Sequence, residues 1–283
     1  MEFMKIFVGF AQSLWFVGIV GAFLILTKYM ADKLAGFDAD DMIEEKSSVS
    51  VGFRRAGLYL GTAIAMYGAV AGQSKGFASD TLSLLIDGVM ITVFMIIARV
   101  VNDNLIVRGI NNNRAIEEGN TTVGIVEAGS YIATGIIAYA SVTGEGGSWW
   151  SSLVYFVLGQ TVLISAMALY EKNTAWSVID NMRKDNVSAG LMLAGIMISI
   201  SIVLKGAIAG PFHGWFQDLV GFGISAAAGL MMILIILNKF IDRFFLPGTD
   251  IRTEIDRDHN IAAIAIVVSV KIALSFVISA AII

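Results

Sequence analysis

Eight separate stretches of this sequence, at roughly 6–30, 50–72, 81–107, 121–143, 149–170, 187–209, 218–246 and 260–282, are apolar for about the ~20 residues that a helix needs to cross a bilayer at 1.5 Å per residue. A water-soluble core is not assembled from so many uninterrupted runs, so the chain belongs in lipid. Backbone groups in hydrocarbon must bond to one another, which leaves only helices and closed barrels. Continuous runs of this length, in place of alternating segments of about ten residues, select helices. With 15% charged residues the chain lies far below the ~25% of soluble domains. The first run has a single basic residue, Lys5, ahead of it and no small-residue cleavage site after it, so it reads as a retained span and not a signal peptide.

The connections alternate in character. Those after the first, third, fifth and seventh runs are long and charged; those after the second, fourth and sixth are short and rich in glycine. The charged side holds 15 of the 19 Lys and Arg, the remainder being Lys5, Lys75 and Lys205 on the other side and Lys271 inside a run. Positive charge marks the cytoplasmic face, which predicts both termini outside and Trp149, Trp150 and Trp215 at the outer interface.

Four segments align with one another: EKSSVSVGFRRAGLYLG (45–61), EEGNTTVGIVEAGSYIA (117–133), RKDNVSAGLMLAGIMIS (183–199) and RDHNIAAIAIVVSVKIA (257–273). Ser48, Asn120, Asn186 and Asn260 fall in register, so the halves repeat at a step of 138 to 140 residues and each half holds two helical hairpins. The expected fold is all-α: a polytopic membrane bundle of about eight transmembrane helices, with one four-helix repeat at 1–143 and a second at 147–283. Each hairpin re-enters from the same side, which predicts parallel repeats about axes along the membrane normal. Ser48, Asn120, Asn186 and Asn260 are placed to cap the return helices. Gly52, Ala56, Gly57, Gly124, Ala128, Gly129, Gly190, Ala194 and Gly195 supply small residues four or five apart, which let helix backbones approach where no hydrophobic force draws them together.

The pattern of polar cap followed by spaced small residues, as in Asn120-Thr-Thr-Val-Gly124-Ile-Val-Glu127-Ala128-Gly129 and Asn186-Val-Ser-Ala-Gly190-Leu-Met-Leu-Ala194-Gly195, resembles the YjfL-like bacterial inner-membrane family, a domain of unknown function. The likeness covers nearly the whole chain as two fused copies; the last repeat departs from it, with Ala263, Ala265, Val268 and Ser269 around the glycine positions. It implies a bacterial inner-membrane location and carries no established activity.

Among the ionisable and amide side chains inside the apolar runs, five are candidates for a role at membrane depth: Arg55, Asp87, Glu127, Gln160 and Lys271. Glu127 occupies the repeat position of Arg55, with Leu193 and Val267 in the other two copies, so the two charges are expected in one layer and able to pair. Charge at that depth is either a structural ion pair that fixes helix register or a proton- or cation-handling group, and both readings stand. Lys271 needs an acidic, carbonyl or water partner, for which Asp87 has a suitable depth; Gln160 can hydrogen-bond between helices. Arg99, Asp103, Glu171, Lys172 and Lys205 read as interfacial.

No metal site and no cofactor is expected. The acidic run FDADDMIEEK (37–46) lacks the spacing and central glycine of a calcium loop, His213 and His259 have no zinc-ligand spacing, there is no cysteine, and Gly221-Phe-Gly223 lies inside an apolar run with no strand before it. No catalytic motif appears, so the chain does not read as an enzyme, and its net charge of −4 gives no nucleic-acid face. The lipid bilayer is its certain partner; homo-oligomers and cytoplasmic protein partners are open. Two functions remain: a small-solute or cation conduit using buried charges, or a membrane scaffold, binding partners in an envelope-stress system, whose charged segments Asn173–Lys184 and Asn238–Phe245 dock those partners.

Overall fold

The computed structural model describes residues 2–71, 74–106, 109–143, 148–174, 176–210 and 212–282, with side chains from Ile6 onward except Asn102. The run ends expected at 72 and 107, the outer bounds of the two expected repeats at residues 1 and 283, the start of the second repeat at 147 and residues 144–146 before it lie outside them. In chain order the elements are α1 (Glu2–Ala35), α2 (Ala39–Glu44), α3 (Val49–Val70), α4 (Phe77–Leu105), α5 (Asn112–Glu117), α6 (Thr121–Val142), α7 (Trp149–Asn173), α8 (Val178–Arg183), α9 (Val187–Ile208), α10 (Trp215–Met231), a π turn (Met232–Ile236) leading directly into α11 (Leu237–Phe244), α12 (Ile251–Asp256) and α13 (Ile261–Ala281). No strand occurs among the described residues. Seven of the eight long helices are apolar enough to cross a membrane. The eighth, α3, is of the same length and carries Arg54 and Arg55, which lower its hydropathy.

Each return helix begins with the same turn. A six-residue helix ends, one residue adopts a left-handed backbone, a polar residue follows, and the long helix starts. The left-handed residues are Ser47 (φ 51°), Gly119 (φ 93°), Asp185 (φ 54°) and His259 (φ 49°), one in each repeat and only once a glycine. Asn120, Asn186 and Asn260 then accept from first-turn amides, Val123 N at 2.8 Å, Ser188 N at 3.2 Å and Ala263 N at 3.1 Å. Ser48 makes no such cap and instead shares a hydrogen bond with Ser50. Its side chain is one atom shorter, and the neighbouring hydroxyl competes for it.

Those polar residues also tie one repeat to the next. Ser50 Oγ donates to Ile116 O (2.8 Å), Asn120 Nδ2 to Met182 O (2.8 Å) and Asn186 Nδ2 to Ile255 O (2.8 Å), in every case satisfying a carbonyl near the end of the next short helix.

The return helices pack as a row, α3 against α6, α6 against α9, α9 against α13, and α1, α4, α7 and α10 lie along it. The return helices thus meet in chain order, each packed on the next. Each junction uses the same register. A Cβ on Gly57 would strike the backbone of Ala128, one on Gly129 the backbone of Ala194, and one on Gly195 the side chain of Val268. Further along, Gly124 meets Ser50 and Gly190 meets Thr122. A return helix therefore has two working faces, and α6 and α9, which use both, are buried along most of their length. The ends of the row are unlike. On α3, Ala56 is exposed and Gly52 has open space around it, so the packing expected of these two residues is absent because no helix precedes α3 in the row. On α13, Ser269 and Ala273 are exposed.

Candidate functional site

The first half carries a layer of charge at the charged-loop end of the bundle, built from α1, α3, α4, α5 and α6. On α3, the face toward α6 runs Ser50, Arg54, Gly57, Gly61, spaced for one stripe of a helix. Arg54 therefore points into the bundle, and its Nε lies 2.6 Å from Glu127 Oε2, both side chains less than a tenth exposed. Arg55, expected to face Glu127, is on the adjacent face. There it pairs with Asp32 (2.7 Å) and with Asp40.

Two networks result. In the inner one, Asn113 Oδ1 accepts from Arg54 Nη2 (2.7 Å) and Arg99 Nη2 (3.1 Å), while Asn113 Nδ2 donates to Leu34 O (3.0 Å). Arg99 also donates to Ala31 O (2.6 Å) and lies 3.8 Å from Asp103, which accepts from Asn112. Arg54 and Arg99 balance Glu127 and Asp103, as a buried layer requires. Arg99, read from sequence as interfacial, is buried. The rim network joins Lys28 and Arg55 to Asp32 and Asp40. The hydrogen bonds from Lys28 and then Arg55 hold the Asp40 carboxyl below its usual range. Beneath the layer, a void of about 20 Å³ lined by Arg54, Arg99 and Tyr131 has room for one water molecule.

From Glu127 a line of polar side chains climbs the same helix, through Tyr131 and Thr134 to Ser141, at steps of four, three and seven residues that keep one face. Gln160 on α7 donates to Thr134 Oγ1 (3.2 Å), an interhelical bond at mid-membrane. Ser141 lines a cavity of about 570 Å³ at the glycine-loop end, together with Asp87, Tyr155, His213 and Asp218. Asp87 thus stands in this cavity and is not the partner of Lys271. Lys271, only 1% exposed, donates instead to Asn238 Oδ1 on α11.

The half-chain step explains that arrangement. Asn238 and Asp242 stand 139 residues after Arg99 and Asp103, and Lys271 stands 140 after Tyr131, so the second half rebuilds the layer with its cation moved from the outer helix to the return helix. Met192 and Val267 replace Arg54 and Glu127. Arg54, Arg99, Asn113, Asn238 and Asp242 escape a reading by repeat position alone; the stripe through Ser50, Gly57 and Gly61 is the signal that would have found Arg54. Among the described residues no group of His, Asp and Glu could hold a metal ion.

The profile of the family described as Domain of Unknown Function (DUF350) matches residues 5–142 and again 146–282. The chain belongs to the DUF350 family. A UPF0719 transmembrane protein of Aquifex aeolicus is 26% identical over 230 residues, 77% of this chain and 82% of that one. The UPF0719 transmembrane protein YshE of Bacillus subtilis is 28% identical over 139 residues, 47% of this chain and 97% of YshE, so that DUF350 relative is about one matched unit long. No solved structure matches the chain. It is an integral, multi-pass membrane protein with two copies of the DUF350 unit.

Proposed function

We propose that the protein is a non-enzymatic conduit for protons or small cations, with the path in its first half and Glu127 as the group that takes up and releases the ion. The observation that carries this reading is the polar stripe of α6, from Ser141 in the cavity that Asp87 also lines, past the single apolar step at Ala138, through Thr134 and Gln160 to the Arg54–Glu127 pair. Polar groups at bilayer depth are expensive, and a row of them on one face, ending in an open cavity, is the arrangement a translocation path needs. By the positive-inside rule we take the charged layer to face the cytoplasm across a bacterial inner membrane, with the cavity outside.

The competing scaffold reading needs free docking segments. Both of its candidate segments are built into the bundle instead: Met182 of α8 and Ile241 of α11 are fully buried, and α11 continues a spanning helix. Flux of a pH-sensitive dye in proteoliposomes tests the choice. Glu127→Gln is expected to abolish flux, and Thr134→Val to reduce it, with the elution profile of the detergent-solubilised protein unchanged. Flux equal to that of the parent in Glu127→Gln overturns the conduit.

A further inference from the structure

The two halves differ most beside the charged layer. In the first half the space between α1, α3 and α4 is closed, because Arg99 spans it to the Ala31 carbonyl, and only the void of about 20 Å³ beside Ala31, Ala35, Phe37 and Arg54 remains. The equivalent residues of the second half, Tyr170, Thr174, Trp176, Met192 and Asn238, line a cavity of about 620 Å³. Two substitutions open it. Asn238 is too short to do what Arg99 does, and Met192 brings no charged group where Arg54 has one. The π turn Met232–Ile236 runs along the same wall, the kind of helix irregularity that recurs at functional sites.

The lining is amphipathic. Leu169, Leu230, Leu234 and Ile235 form the membrane-facing part, and Asn173, Asn238, Asp242 and Arg252 gather at the charged-loop end. Directly behind Asn238 sits the ammonium of Lys271, buried, with no carboxylate within 4 Å among the described residues. Asp242 attracts it from beyond ion-pair distance, and a buried cation so weakly compensated is costly in a bilayer. Arg252 stands exposed at the rim, likewise with no ion pair among the described residues, while Asp242 accepts from the Ile251 amide. On the cavity wall and directly behind it, Arg252 and Lys271 face one carboxylate, Asp242, while Asp250, which also acts on Arg252, lies off the wall and accepts from the Thr253 amide; with the apolar slot beside them, these groups fit an anion with an acyl tail.

We propose that this cavity seats an anionic phospholipid from the leaflet on the charged-loop side, its phosphate held between Arg252 and Asn238 in the field of Lys271, and one acyl chain lying along Leu230 and Leu234. The site is independent of the conduit, since it lies in the other half of the chain. Trp176, buried in its wall, is a native reporter. In a variant with the other four tryptophans (Trp15, Trp149, Trp150, Trp215) replaced by Phe, the protein is reconstituted in phosphatidylcholine vesicles containing a minor fraction of lipid with brominated acyl chains. Brominated phosphatidylglycerol is expected to quench Trp176 several-fold more than brominated phosphatidylcholine at equal mole fraction. Arg252→Gln should bring the two lipids to equality, and Leu234→Phe, which fills the slot, should lower quenching by both. Equal quenching by the two lipids in the Arg252 parent, quenching no greater than that of free tryptophan analogue in the same vesicles, or an unchanged preference in Arg252→Gln would each overturn the assignment.

Discussion

Replacing Arg54 by Met, the residue at its place in α9, strands Glu127 as a buried charge, and losses of ~3–5 kcal/mol are usual for such a cut. The double change Arg54→Met with Glu127→Val copies the residues Met192 and Val267 at the same places in the second half and should recover most of the loss, because a well-packed apolar pair is often as stable as a buried ion pair. Thermal unfolding in detergent measures both. The same double variant should lack the parent's flux even with stability recovered, which separates a pair kept for stability from one kept for transport. Asp40 behaves differently, being half-exposed. Its depressed folded-state pKa means that its contribution is fully present above the ordinary value of 3.8 and is lost as pH falls through the lowered one. The difference in unfolding temperature between the parent and Asp40→Asn should therefore be constant at neutral pH and close as the solution is acidified below 3.8.

At the scale of the helix, the glycines divide into those that touch a neighbour and those that do not. Gly57→Leu pushes a side chain into the Ala128 backbone and should lower the unfolding temperature sharply, whereas Gly52→Leu, with open space around it, should leave it nearly unchanged. A melting comparison of the two variants decides. Length and apolarity of the runs were enough to read the helices from sequence, and the repeat was enough to read the hairpins, since both depend on local pattern. Asn120, Asn186 and Asn260 were legible as caps for the same reason. What could not be read was register between helices. Alignment by repeat sets Arg55 level with Glu127, but contact depends on which face turns inward, and the stripe Ser50, Arg54, Gly57, Gly61 turns Arg54 there. Lys271 found Asn238 and not Asp87 because depth alone says nothing about which helix is adjacent.

For the whole molecule, the main contact between the two DUF350 units is the α6–α9 junction, made with the same register as the junctions inside each unit, and α7 adds to it by packing on α6 and α4. Residues 1–143 and 148–283 expressed as separate chains should therefore find each other and co-purify, and Gly129→Leu, which wedges α6 from α9, should sharply weaken the pairing while leaving each half inserted. A tagged pull-down from solubilised membranes reads this directly. The two ends of the row carry a further meaning. Three junctions require a residue without a Cβ on the forward face, at Gly57, Gly129 and Gly195, and the fourth return helix presents Ser269 in that place. An additional hairpin fused after α13 would meet that side chain, while one fused before α3 would meet Gly52 and Ala56. Growth of such an array by duplication thus has a direction, open at one end and terminated at the other by a single hydroxymethyl group.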